Sequence, residues 1–257
     1  MRLLSYMTPG FPESLFESIG RAVGATVEYE TKSSGPEPGE NPFLGDGVEL
    51  GWICSTSFVD SALTGDDPSI QLVGVAWVPD DSDANGRPVY FADIVTRADS
   101  PIQSFADLEG HTMACNDPVS LSGHYALKFE LDDRGLPDGF VDLRFTGGHQ
   151  ASLTAVAKGE VDVALVDSVV RTARARVDPA VAKLRVLGRL GPWPTQPLVA
   201  AVSLTQDEVA AVRRRLLDAV ENDALRAELR SSALSHLVEV TPDHYNRVRD
   251  AMNRLAD

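Results

Sequence analysis

Hydrophobic and polar positions along the chain switch repeatedly between the two-residue period of a strand and the 3.6-residue period of a helix. Leu3 to Tyr6 reads as a strand. Pro12 to Val23 reads as an amphipathic helix, because Leu15, Phe16, Ile19 and Val23 recur on one face. A loop rich in Ser, Gly, Pro and Glu follows from Lys32 to Gly47, and "GVELGWICS" returns to strand character. Farther on, "ASLTAVAKGEVDVALVD" predicts a helix stopped by Gly159 and then a buried strand ending at Asp167, and "LRVLGRL" predicts another strand. Strands alternating with helices predict a mainly parallel α/β sheet with crossover helices on both faces.

Two stretches differ from their neighbours: "RPVYFADIVTRADS" at 87–100 and "GRLGPWPTQPLVAAV" at 188–202. Each is extended and carries an apolar strand into or out of a Pro-containing turn, and between them lies a self-contained helix–strand alternation. Two such crossings predict two α/β lobes joined at a hinge, 1–88 with 198–257 forming a discontinuous first lobe and 89–197 the second. Thr205 and Glu208 form a T-x-x-E capping box for a helix carrying Val209, Val212 and Leu216. Thr241 is expected to cap a last helix that has Pro242 at its first position and Tyr245, Val248, Met252 and Leu255 on one face.

Composition narrows the class of partner. With 43% hydrophobic and 24% charged residues the chain has the make-up of a globular protein with a core, and its net charge of −15 disfavours nucleic acid and anionic membrane, whose phosphates it would repel. A small anion in a locally positive pocket remains compatible with that charge. The two cysteines, Cys54 and Cys115, sit in hydrophobic stretches and read as core residues rather than a disulfide framework. The apolar run at the N-terminus is too short for a signal peptide and no run has the length of a membrane span, so the sequence as written predicts a cytoplasmic protein, or an extracytoplasmic one if a leader has been removed.

Candidate chemistry concentrates in "NDPVSLSGHYAL" (116–127), where two serines and a glycine follow an Asp-Pro turn and open a helix. A helix start leaves up to four N–H groups free and carries about +0.5 of a charge, which suits a tetrahedral anion; Ser120, Ser122 and the Gly123 N–H are the candidate donors, with simple helix capping as the alternative. His149, after two glycines, opens another helix, and Asp167 ends a buried strand, where ligands gather in open α/β sheets. Ser120 or Ser122 with His149 and Asp167 also form a Ser/His/Asp set, although no G-x-S-x-G elbow accompanies them. The sequence has no P-loop, dinucleotide fingerprint or paired metal-ligand spacing, so neither a cofactor nor a metal is expected.

The segment from Val48 to Ser168 resembles the phosphate/phosphite/phosphonate-binding components of ABC transporters, within the periplasmic-binding-protein superfamily. Its most specific parts are the Asp-Leu-x-Gly turn at 107–110, the Asp-Pro-x-Ser-x-Ser-Gly loop at 117–123 and the Gly-x-His start at 147–149. The resemblance implies a two-lobed protein that closes on a small oxyanion, works as a monomer and serves an ABC permease. It implies ligand contacts from His149 and from the hydroxyl of Tyr90 at the first crossing, and a cationic or protonated ligand group opposite Asp167. In the first lobe "ICSTSFVD" stands where the family commonly has Ser-Pro-Ala-Ala-Tyr, so Ser55, Thr56 and Ser57 are the candidate donors while Phe58 replaces a tyrosine; Leu121 stands where a threonine is common. These departures imply a less polar or differently shaped ligand. A cytosolic biosynthetic enzyme or an effector sensor on the same fold is the alternative.

Overall fold

In the computed structural model, which describes residues 1–8, 10–37, 39–45, 47–63 and 68–256, the strands fall into two five-stranded sheets and a two-stranded ribbon. The first sheet is ordered β2 (Thr26–Tyr29), β1 (Arg2–Ser5), β3 (Leu50–Trp52), β11 (Leu198–Ala201) and β4 (Ile70–Leu72). The second is ordered β10 (Arg185–Pro194), β6 (Val89–Thr96), β9 (Val163–Asp167), β7 (Thr112–Cys115) and β8 (Asp142–Phe145). The ribbon pairs β5 (Val75–Pro79) with β12 (Leu234–Glu239). The chain passes from the first sheet's side to the second between Pro79 and Val89 and returns between Pro194 and Leu198. This is the two-lobed α/β architecture.

The sheets are mixed rather than mainly parallel. β1 pairs in parallel with β2 and β3, and β7 with β8 and β9, but β11 is antiparallel to both its neighbours, as β6 is to β9 and β10. The antiparallel strands are the ones at the crossings. A strand arriving from the other lobe enters its sheet from the end opposite to a strand delivered by a crossover helix, so its direction is reversed.

Burial follows the predicted periods. The helix Glu13–Val23 turns Leu15, Phe16, Ile19 and Val23, all fully buried, into the larger core cluster. Along β9, Val163 and Leu165 join that cluster while Ala164 and Val166 join a second one with Leu153 and Val156. A strand covered on both faces has no polar side to display, which is why "VDVALVD" reads as a continuous apolar run. Beneath the crossings Trp52 and Trp77 stack with centroids 4.3 Å apart, and Phe11 tilts onto Trp77 at 4.8 Å.

The Thr205–Glu208 capping box is present at the helix Gln206–Ala219. Thr241 differs from expectation: its side chain caps nothing, and its carbonyl accepts the His244 N–H to close a 3₁₀ turn over Pro242–Tyr245 before the helix Asn246–Ala256 begins. That last helix touches the short helix Ser55–Phe58 of one lobe and the helix Ala126–Asp133 and β10 of the other, with Tyr245 edge-on to Phe58 at 5.0 Å.

A buried ion cluster fixes the root of the crossings. Asp93, fully buried on β6, accepts from Arg171 and Arg189, and Arg189 also reaches Asp81 and Asp83 in the first crossing while lying 4.3 Å above the Phe91 ring. Removing one partner of such a pair leaves charge stranded in the interior. Arg189→Leu should therefore lower the unfolding free energy by about 3 kcal/mol, whereas Arg144→Ala, which loses an ion pair to the solvent-exposed Asp142, should cost less than about 1 kcal/mol. Urea unfolding of the two variants checks this, and equal effects would remove the cluster from its structural role.

Candidate functional site

Between the two sheets lies a cleft enclosing about 490 Å³ of empty space, open solvent at its mouth included. Tyr90, Ser120, Ser122, His149 and Asp167, all named from sequence, line it together. Two helix starts aim into it. At one, the chain opens with a π turn, Leu121–Tyr125, that runs into the helix Ala126–Asp133. At the other, the helix Glu- and Asp-free in its first turn, His149–Lys158, follows Gly148, which supplies no side-chain cap.

The hydrogen bonds here have fixed directions. The Asp167 N–H, which can only donate, points to His149 Nδ1 at 3.3 Å. Burial lowers the His149 pKa to about 3, so the ring is neutral and its one proton sits on Nε2, donated to Ser122 Oγ at 3.3 Å. The Ser122 hydroxyl proton is then free to point into the cleft. Tyr90 OH, fully buried, lies against the Ser122 hydroxyl and N–H without a well-aligned hydrogen bond to either, and Thr8 Oγ1 and Asn116 Oδ1, on residues that line the same space, have no partner. These are three of the seven buried side-chain atoms without a well-formed partner among the described residues, and each has polar capacity beyond what the protein uses.

The same directions argue against the Ser/His/Asp hydrolase arrangement. A general base needs a free imidazole nitrogen toward the serine, with the other nitrogen donating to a carboxylate. Here Nε2 donates to the serine, and the Asp167 carboxylate bonds elsewhere: Oδ1 caps the helix Ser168–Ala175 through the Val169 and Val170 N–H groups, and Oδ2 accepts from Gln196 Nε2 at 2.8 Å. Asp167 is thus both a helix cap and a cleft residue, with its pKa raised to about 6 by burial.

Ser120 also caps, its hydroxyl oxygen accepting the Gly123 N–H at 3.1 Å, so that N–H is not free for a ligand. Glycine is required at 123 for space, since a Cβ there would collide with Asn116 Oδ1. Leu121 is fully buried outside the cleft lining, and its N–H donates to Cys54 Sγ at 3.1 Å. The first-lobe hydroxyls expected from sequence also lie outside: Ser55 donates to the Pro194 carbonyl at 3.2 Å, Thr56 to the Val119 carbonyl, and Ser57 lines a separate pocket with Asp60, Tyr125 and Met252. The short helix at 55–58 is drawn under the crossing and joins the lobes rather than the ligand space.

The first lobe instead contributes Tyr6, Met7, Thr8, Gly10 and Phe11 after β1, and Thr31, Ser33 and Ser34 after β2. A Thr-Pro-Gly turn at the carboxyl end of a parallel strand was the available signal for the first group. Cys54, expected in the core, is buried at the cleft wall. Asp117 and Gln196 were visible only as turn residues. Asp117 accepts from Ser34 of the opposite lobe at 3.2 Å and from the Val119 N–H at 3.0 Å, and burial raises its pKa.

The model of a family described as the periplasmic substrate-binding protein of phosphonate ABC transporters matches residues 13–245. Among solved structures, the binding-protein component of an ABC phosphonate transporter from Pseudomonas aeruginosa superposes with a TM-score of 0.78 at 18% identity, over 98% of this chain and 85% of that one. PhnD1 from Prochlorococcus marinus, in complex with methylphosphonate, gives 0.77 at 13% identity over 100% and 98%. The periplasmic aliphatic sulphonate binding protein SsuA from Escherichia coli gives 0.63 at 18% over 99% and 92%. At these identities the likeness shows the two-lobed fold.

The neutral His149 carries a sign-defined pH effect. Its folded pKa, about 3, lies below the unfolded value of about 6.5, so as pH falls from 6.5 towards 3 the unfolded chain takes up a proton that the folded one refuses, and stability declines. Asp167, raised to about 6, acts oppositely, losing stability as pH rises through 4 to 6. The His149 ring nitrogens, followed by NMR, should keep neutral-form shifts from pH 8 to about 4.5; titration near 6.5 would contradict the burial and the donor directions together.

Proposed function

The chain belongs to the periplasmic substrate-binding proteins of phosphonate ABC transporters, and from that premise we propose that it captures a small oxyanion, a phosphonate, phosphite or phosphate, without turning it over. The observation that carries this reading is the Ser122 hydroxyl, oriented by His149 and set against the fully buried Tyr90 hydroxyl between two helix starts. The anion accepts from Ser122 and Tyr90 and sits at the positive start of His149–Lys158, while Met7, Phe11 and Val170 face its organic substituent.

In this account the lobes 1–88 with 198–257 and 89–197 are the moving bodies, and ligand holds them shut where Ser34 meets Asp117 and Thr56 meets Val119. The protein acts outside the cytoplasm, as its family does, delivering ligand as a monomer to an ABC permease. No helix among the described residues is long and apolar enough to cross a membrane.

Calorimetry with methylphosphonate, phosphite and phosphate tests the reading, and ligand at a hundred times its Kd should add about 2.7 kcal/mol of stability. Ser122→Ala should weaken binding by about 1–3 kcal/mol, with a small effect on the unliganded protein because cleft water can take the His149 Nε2–H. Ser120→Ala should instead cost about 1 kcal/mol of stability with or without ligand, as the loss of a helix cap. Absence of binding by every oxyanion, or a Ser122→Ala variant that binds unchanged, would refute the proposal.

A further inference from the structure

We infer that the cleft selects the singly charged form of its oxyanion and rejects the doubly charged form. The inference rests on the oxyanion reading above and narrows it to a class: sulfonates, and phosphonates or phosphate esters while they keep one proton. It starts from the charges around the cleft. Among the described residues no arginine or lysine lines it, whereas two carboxylates, Asp117 and Asp167, do. The side-chain donors on its lining are neutral hydroxyls, amides and the uncharged His149 ring, among them the hydroxyls of Thr8, Ser120, Ser122 and Tyr90.

The remaining positive potential comes from backbone dipoles, about half a charge for each helix start. The helix Ser168–Ala175 spends its own on Asp167, whose Oδ1 takes two of its N–H groups. The starts at 121 and 149 together supply at most about one positive charge, since at 121 the Leu121 and Gly123 N–H groups already serve Cys54 and Ser120. That matches one negative charge on a ligand. A second would face Asp117 unopposed, and the cost of drying an ion rises with the square of its charge. Three well-formed hydrogen bonds reach the Asp117 carboxylate, the Val119 N–H and the Ser34 hydroxyl on Oδ1 and Asn116 Nδ2 on Oδ2 at 3.0 Å, against about four acceptor sites. A ligand that retains a proton can donate it there; a dianion cannot.

Methanesulfonate and methylphosphonate, nearly identical in shape, separate charge from fit. The first stays a monoanion, while the second loses its remaining proton near neutrality, in the range of a phosphate ester's second ionisation at about pH 6. Calorimetric Kd values for both at pH 6 and pH 8.5 should show methylphosphonate weakening relative to methanesulfonate by about tenfold or more, the fall in its monoanion fraction. Protein groups titrating around the cleft act on both ligands and drop out of the ratio. These are Tyr6 with Glu30 and Glu40 beside it, Cys54, Tyr90, Asp117, His149, and Asp167 with Asp93 behind it; Lys32 and His124 lie just outside the lining. Asp117→Asn, which keeps an oxygen for the Val119 N–H, should shift the pH 8.5 ratio severalfold back towards methylphosphonate. A ratio that is constant between the two pH values, or that favours methylphosphonate at pH 8.5, overturns the inference while leaving the oxyanion reading standing. Failure of both ligands at both pH values overturns the two together.

Discussion

The indole N–H of Trp77 can only donate and the ionised Asp167 carboxylate can only accept, so Gln196, held between them, has a single orientation. Its Oε1 takes Trp77 Nε1–H at 3.1 Å, its Nε2 gives to Asp167 at 2.8 Å, and its backbone carbonyl takes Trp52 Nε1–H at 2.9 Å. From there Asp167 gives its N–H to His149, and His149 gives Nε2–H to Ser122. One directed chain runs from the stacked tryptophans under the second crossing to the Ser122 hydroxyl in the cleft lining. Reversing any link would leave a buried donor facing a donor, so the hinge and the binding site cannot be arranged independently.

This chain also explains how one residue meets two demands. Asp167 terminates a strand buried on both faces, caps the next helix and anchors Gln196 from the returning crossing. Capping and ligand contact were competing readings of the sequence, but a carboxylate offers about four acceptor sites and the structure fills three. Ser120 is similar, because an oxygen that accepts the Gly123 N–H still carries a proton of its own.

The elements with a clear period were legible in the sequence. The helix at 13–23, the capping box at 205–208, the strand ending at Asp167 and the two extended crossings could be read because each rests on local pattern. Strand direction was not, since β6 and β11 run antiparallel to their neighbours through chain reversal at the crossings, which leaves no mark on residue alternation. In the second lobe "VSLSGH" and "GGH" carry their chemistry in sequence because a helix start supplies both the fold and the donors. The first lobe's wall was hidden. Tyr6, Met7, Thr8 and Phe11 meet Tyr90 and Ser122 only through long-range packing across the cleft, whereas Ser55, Thr56 and Ser57, next to one another in "STS", are drawn to different partners. Gln196 in "PTQP" carries no signal beyond that of a turn, since its role is defined by residues that lie far away in the chain.

The central claim is that neutral, pre-oriented donors in the second lobe hold the anion. A crystal structure of the protein with methylphosphonate tests it most directly. The account predicts ligand oxygens within about 2.5–3.0 Å of Ser122 Oγ and Tyr90 OH, with His149 Nε2 still on the far side of the serine. Ligand placed instead against the 55–57 turn, or an anion held by an arginine or lysine drawn into the cleft, would contradict it.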